Sequence, residues 1–406
     1  MDGGTIAATA VADPPSRSDR VPLLAFMADP DSEAMLCEGL SEAMPGGFEV
    51  RRGNVRTALN ALGQMTTPKA LVIDITGEAQ PLALLADLRH VVEPDVKVML
   101  VGEREDVTFY RQVTRNLGAV EYLYKPLAPE MVARHFGAQL SRIGVVAPDA
   151  GGRMVCLTGA RGGAGATTLA VNLAWYLGEV GRRHTVLLDA NLHTGTAAML
   201  LGGRTGPGLR SALETPDRVD DLFVERSAIP VFDRLHMVAA EEPLTEHPGY
   251  LPGAAERLTT MLRRRFNYVV ADVPFHGGAL SRDLLAATQQ RVLVMLPTLG
   301  AIRDTLRLLA LPAGPGQVRR AVLVLNRAGM PGGLPRAAVE EALGTKVDVC
   351  IPDLPKTVGA AESLGEPAAK AHGGFRTGIV QLAQEVAFVR PDTDARRRWW
   401  RSGAGR

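Results

Sequence analysis

The sequence predicts an α/β protein made of two doubly wound domains, each a largely parallel sheet with helices on both faces. Three observations carry this. Short apolar runs alternate with amphipathic stretches of helical length along most of the 406 residues. The alternation breaks once, at the proline- and glycine-containing stretch VVAPDAGGR (145–153). The composition, 46% hydrophobic and 22% charged, gives each half enough apolar residues for its own core, and the length is large for a single one.

Taken in order, residues 1–20 (MDGGTIAATAVADPPSRSDR) read as a flexible leader, because two early acids and no extended apolar core rule out a secretory signal. The first domain, 21–144, has candidate strands VPLLAFMA, KALVIDI, VKVMLVG and AVEYLYKP. Between them lie candidate helices SEAMLCEGLSEAM, PLALLADLRHVV and EDVTFYRQVTRNLG. The stretch 145–153 reads as a linker. The second domain, 154–389, has strands MVCLTG, TVLLDA, NYVVADVP, RVLVMLP, RRAVLVLN and KVDVCIP, with LHMVAA (235–240) as a seventh. The tail, 390–406, is too polar and glycine-rich to extend a core.

Bulk properties exclude several classes of function. A formal net charge of +1 removes the broad basic surface of a protein that lives mainly on nucleic acid. Cys37, Cys156 and Cys350 follow no metal-ligand or disulfide spacing and read as small hydrophobes in a reducing compartment, which points to the cytoplasm. No uncharged apolar run approaches the ~18 residues of a membrane span, so membrane contact is expected to be peripheral.

The chemistry concentrates after MVCLTG, where Gly162, Gly163 and Gly165 stand in ARGGAGATT (160–168) ahead of the helical pattern LAVNLAWYLGEV. Glycines there let backbone amides turn toward a phosphate, and the helix behind them presents its positive end. Thr167 offers a hydroxyl for Mg2+ held by nucleotide phosphates, and Thr168 follows it. The pattern GxxxxGK[ST] fails at Ala160, in place of glycine, and at Ala166, in place of lysine. Taken alone, the stretch is also compatible with a tight strand–helix connection. Asp189 and Asp272 each end a candidate strand, where an acid serves as a cap, faces solvent, or reaches a metal or its water. Arg161 is either an ordinary surface arginine or a guanidinium fork for phosphate, in its own site or across a dimer.

The ordered set ARGGAGATT, VLLDANLHTGTAAMLLG (186–202), FNYVVADVP (266–274), VLVLNRAG (322–329) and IPDLP (351–355) resembles the MinD/ParA superfamily of P-loop ATPases. Within it, the likeness is to pilus-assembly proteins of the CpaE/TadZ type. The resemblance implies a flavodoxin-like, receiver-type domain followed by a MinD/ParA-like P-loop NTPase fold, with ATP and Mg2+ as cofactors. By it, Arg161 falls where the family has its signature lysine, which crosses a dimer, and Ala166 falls on the P-loop lysine. Thr167, Asp189 and Asp272 become the metal residues, and Asp189 and Asp272 the catalytic acids. Asn191 replaces a second carboxylate; an amide orients water but is a poor base. Asn326 falls on the residue that reads adenine, and the backbone near Ile351 and Pro352 lines the base.

In the first domain, Asp29 and Asp31 follow the first strand, Asp74 ends KALVIDI, and Lys125 follows the last strand in GAVEYLYKP, an arrangement similar to response-regulator receivers. Pro30 splits the acidic pair, and MLVGE (99–103) offers no serine or threonine after its strand. Three readings stay open: a non-phosphorylated pseudo-receiver used for docking or localisation, a phosphorylatable Asp74, or a sheet domain with another role. The cluster from Arg396 to Arg401, RRRWWR, is either a solubilising tail or a peripheral contact for membrane or partner.

The resemblance implies a homodimeric, ATPase-like scaffold that locates or assembles a Flp/Tad (type IVb) pilus apparatus, with the machinery's proteins at the inner membrane or cell pole as partners and hydrolysis weak or absent. The alternatives are an active regulatory ATPase with a nucleotide-driven monomer–dimer switch and a ParA-like DNA-partitioning protein. The near-neutral charge argues against DNA.

Overall fold

The computed structural model describes residues 20–140, 151–317 and 319–387, and the chain parts into two compact units between residues 147 and 148. Residues 1–19, 145–150 and the tail with Arg396–Arg401 lie outside the described residues. Arg20, read as leader, belongs to the first unit. It is 5% exposed, donates to the Thr67 and Pro68 carbonyls, and pairs with Glu93 and Asp95.

The first unit is a five-stranded, wholly parallel sheet: β1 Leu23–Met27, β2 Glu49–Arg52, β3 Ala70–Asp74, β4 Lys97–Gly102 and β5 Glu121–Tyr124, in the order β2-β1-β3-β4-β5. β1 and β3 are buried along their whole length, as unbroken apolar runs covered on both faces must be. One face packs Phe26, Leu71, Ile73, Leu100 and Phe109; the other packs Leu23, Met27, Val72, Met99 and Phe136. In this order the chain reverses direction across the sheet between β1 and β3, so the crevice at their carboxyl ends is where a doubly wound sheet gathers functional groups.

The second unit holds an eight-stranded sheet. Its strands are β6 Arg153–Gly159, β7 Thr185–Asp189, β8 Ile229–Pro230, β9 Leu235–Val238, β10 Tyr268–Asp272, β11 Gln290–Met295, β12 Val322–Ala328 and β13 Val349–Pro352. The order is β13-β12-β11-β6-β10-β7-β9-β8, parallel except for the short β8. β6 sits between β11 and β10, and the helix Ala166–Trp175 leaves its end to pack Leu169, Leu173 and Trp175 into the core. The chain runs to either side of β6, which places the loop after it over a switch point.

Candidate functional site

β6 ends at Gly159, and the glycine loop 160–165 turns the chain into the helix opening at Ala166. Gly163 and Gly165 have φ of 78° and 88°, left-handed values that residues with a Cβ rarely adopt. A Cβ built on Gly162 or Gly163 would meet nothing within 4 Å, so the loop faces open space on the side a ligand would fill. The first-turn amides of the helix lack intrahelical partners and add a positive end to that space.

The acids stand beside this loop because of the sheet register. Asp272 pairs laterally with Leu157 of β6 on one side and with Asp189 of β7 on the other. The Thr167 hydroxyl donates to Asp272 Oδ2 at 2.6 Å. Asp189 is 1% exposed and accepts the amides of Asn191 at 3.0 Å and Ala197 at 3.3 Å. The loop over it leaves no room at Gly195, where a Cβ would lie 2.4 Å from Asp189 Oδ2. Burial pushes both carboxyls up. Asp272 reaches about 7, raised further by Asp189 and lowered by the Thr167 hydrogen bond. Asp189 is also raised, although its two amide partners pull the other way.

Two buried carboxylates beside an amide-lined hollow form an incomplete cation site. Among the described residues, no group of three or more His, Cys, Asp or Glu could hold a metal by itself. Mg2+ asks for just such an arrangement, since it takes one or two carboxylates and relies on phosphate and water for the rest. Thr167, Asp272 and Asp189 therefore fit Mg2+ carried in with a nucleotide.

Several expected site residues lie elsewhere or act differently. Arg161 is 54% exposed along its side chain; its Nε sits 3.5 Å from Asp304 Oδ2, and its guanidinium lies across Gly300 at the start of the helix Leu299–Leu309. It thus leans on that helix rather than over the loop. Ala166 packs against the core, and its position brings no cation into the loop. Asn191 is tied into its own turn: Nδ2 donates to Thr194 Oγ1 at 2.9 Å, and Oδ1 accepts the Thr194 amide at 3.1 Å. Asn326 donates Nδ2 to the Ala164 carbonyl at 2.8 Å, a contact with the phosphate loop that the sequence did not signal. Thr168 Oγ1 meets Glu362 Oε1 at 3.4 Å, another partner nearly two hundred positions away. Pro352 ends β13, exposed, with its backbone beside Ala328 of β12.

In the first unit, Lys125 Nζ binds Asp74 Oδ2 at 2.5 Å and also Asp29 Oδ2. Asp74 is fully buried and accepts the amides of Ala28 and Thr76 as well. Asp29 caps the helix Pro30–Leu40 by accepting the Ser32 amide at 2.7 Å. Burial would raise Asp29, but the Lys125 and Ser32 bonds outweigh it and hold the carboxyl down at about 2. Asp31 is exposed in the first turn of that helix, outside the ion pairs that join Lys125 to Asp29 and Asp74. Gly102, at the end of β4, is covered by Ile75 and the Tyr122 hydroxyl, each 2.9 Å from where a Cβ would stand.

No family model matches the chain. Curated relatives include the septum site-determining protein MinD of Synechocystis sp., 25% identical over 177 residues, 43% of this chain and 64% of that protein, so the match spans just under two thirds of the relative. Among solved structures, MinD from Pyrococcus horikoshii OT3, complexed with Mg-ADP, is 21% identical and overlaps 58% of this chain and 96% of that one, with a TM-score of 0.50. A pilus assembly protein CpaE from Caulobacter crescentus CB15 is 32% identical over 30% of this chain and 99% of that one; its TM-score of 0.28 is too low to bear on fold. The second unit has a MinD/ParA-like P-loop NTPase fold, and the chain is similar in sequence to curated MinD proteins over 43% of its length.

Proposed function

We propose that this protein is an ATP-binding, slowly or non-hydrolysing member of the MinD/ParA-like P-loop proteins that dimerises and serves as a scaffold for Flp/Tad pilus assembly at the inner membrane. The observation that carries the nucleotide half is the pairing of an open, amide-lined glycine loop with the half-buried Thr167 and the buried Asp272 and Asp189 at the carboxyl ends of the central strands. Slow chemistry follows from three losses. Ala166 supplies no ammonium to developing phosphate charge, Asn191 is an amide locked in a turn, and Arg161 is held toward Asp304. The pilus half is supported by the likeness of the motif set to CpaE/TadZ-type proteins and by the first unit's Asp29–Asp74–Lys125 cluster.

The first unit is read as a pseudo-receiver. Lys125 is bonded to both acids that a phosphorylation site would use, and the end of β4, Val101-Gly102 beside Asp74, carries no hydroxyl to sense a phosphoryl group. The nucleotide half is tested by titrating Mg-ATP into the full chain, with turnover followed in parallel; absence of binding defeats it. The pilus half fails if deletion of the gene leaves pilus assembly and the position of its machinery unchanged.

A further inference from the structure

We infer that Asn326 is a positioning residue that clamps the phosphate loop in shape, a task to which a loop without its lysine brings no cation. The inference rests on the reading of residues 160–168 as a phosphate cradle. Asn326 lies in β12, separated from β6 by β11, and its side chain crosses that strand end to reach the loop. It is 7% exposed, and its Nδ2 donates to the Ala164 carbonyl at 2.8 Å in a buried hydrogen bond. Contact is tight: a Cβ on Gly165 would lie 2.4 Å from that nitrogen.

A carbonyl only accepts, so the Ala164 oxygen fixes which end of the Asn326 amide faces the loop. The bond pins the loop immediately before Gly165, the left-handed residue from which the helix starts. With Ala164 itself 2% exposed, loss of the donor leaves a buried carbonyl without a partner, and the loop must shift to satisfy it. Shape matters more here than in a lysine-bearing loop, because the cradle's amides are then the main local source of positive charge for a phosphate.

The test compares wild type, Asn326→Asp and Gly165→Ala, all in the full chain. Asn326→Asp keeps the side chain's shape and removes the donor; Gly165→Ala pushes the same contact apart from the other side. Amide hydrogen exchange over residues 160–168 is measured without ligand, and binding of inorganic tripolyphosphate, ATP and GTP is measured with Mg2+. The clamp predicts faster exchange in both variants. It also predicts that tripolyphosphate binding by Asn326→Asp weakens roughly tenfold, the factor that 1.4 kcal/mol represents, with ATP and GTP weakened at least as much. Unchanged exchange overturns it. So does a variant that loses ATP affinity but holds tripolyphosphate as wild type does, since that pattern belongs to a residue contacting only the base. A wild type that binds none of the three ligands defeats the nucleotide reading, while the exchange measurement still decides the clamp.

Discussion

Asp272 is the residue where structure and chemistry are in greatest tension. Its pKa, about 7 in the folded chain against an ordinary 3.8, means that the folded state prefers the proton. Stability from that preference is fully present below about 3.8 and is lost as pH rises through about 7. Asp272→Asn, which keeps a partner for Thr167 without the charge, is therefore expected to raise the ligand-free melting temperature at pH 8 and to change it little at pH 5. Equal shifts at the two pH values would contradict the assignment. Asp29 behaves in the opposite sense. Held at about 2, it contributes stability that is present above 3.8 and lost as pH falls through about 2. Its partner Lys125 also faces the fully buried Asp74, so Lys125→Met strands a buried charge and should cost about 3 kcal/mol in denaturant unfolding. A cost no larger than that of an exposed ion pair would show that the backbone amides alone satisfy Asp74.

At the level of elements, the loop and the helix it feeds decide what the site can do. Ala166→Lys restores a cation at the first helical residue and should tighten Mg-ATP binding and accelerate hydrolysis, each by about tenfold or more if charge is what the loop lacks. Unchanged binding and turnover would place the deficit in Asn191 or the acids instead. Most elements were legible because the buried parallel strands read as apolar runs: β1, β3, β7 and β10 fell within predicted segments, and β6 and β11 begin one polar residue earlier, at Arg153 and Gln290. β2 was not, because EVRR is a polar strand paired on one side only, and β8 was not, because two residues including Pro230 leave no pattern. The helix Val55–Leu62 beside β2 went unread with it. For the site, strand ends and loop spacing marked Asp189, Asp272 and Thr167. The links from Asn326 to Ala164, Arg161 to Asp304 and Thr168 to Glu362 join positions more than a hundred apart, and no local pattern records which side chains the sheet order will bring together.

Across the whole molecule, each unit carries its own carboxylate cluster: the buried Asp74 with the half-buried Asp29 and Lys125 in one, the buried Asp189 and Asp272 in the other. Lys125 bridges Asp29 and Asp74, one cation between two carboxylates, whereas Asp189 and Asp272 stand side by side in register on neighbouring strands, where the negative charge of Asp189 raises Asp272 further. No helix of the described residues is long and apolar enough to cross a membrane. The central claim is that the second unit binds Mg-ATP and uses it for assembly rather than for fast chemistry. Its most direct test is titration of Mg-ATP into the full-length protein while molar mass and phosphate release are followed together, in wild type, Arg161→Ala and Ala166→Lys. Wild type is expected to bind saturably, with a shift from monomer to dimer and little release; Arg161→Ala is expected to lose the shift, and Ala166→Lys to release phosphate faster. A wild type that neither binds Mg-ATP nor changes mass, or one that hydrolyses it rapidly as a monomer, would contradict it.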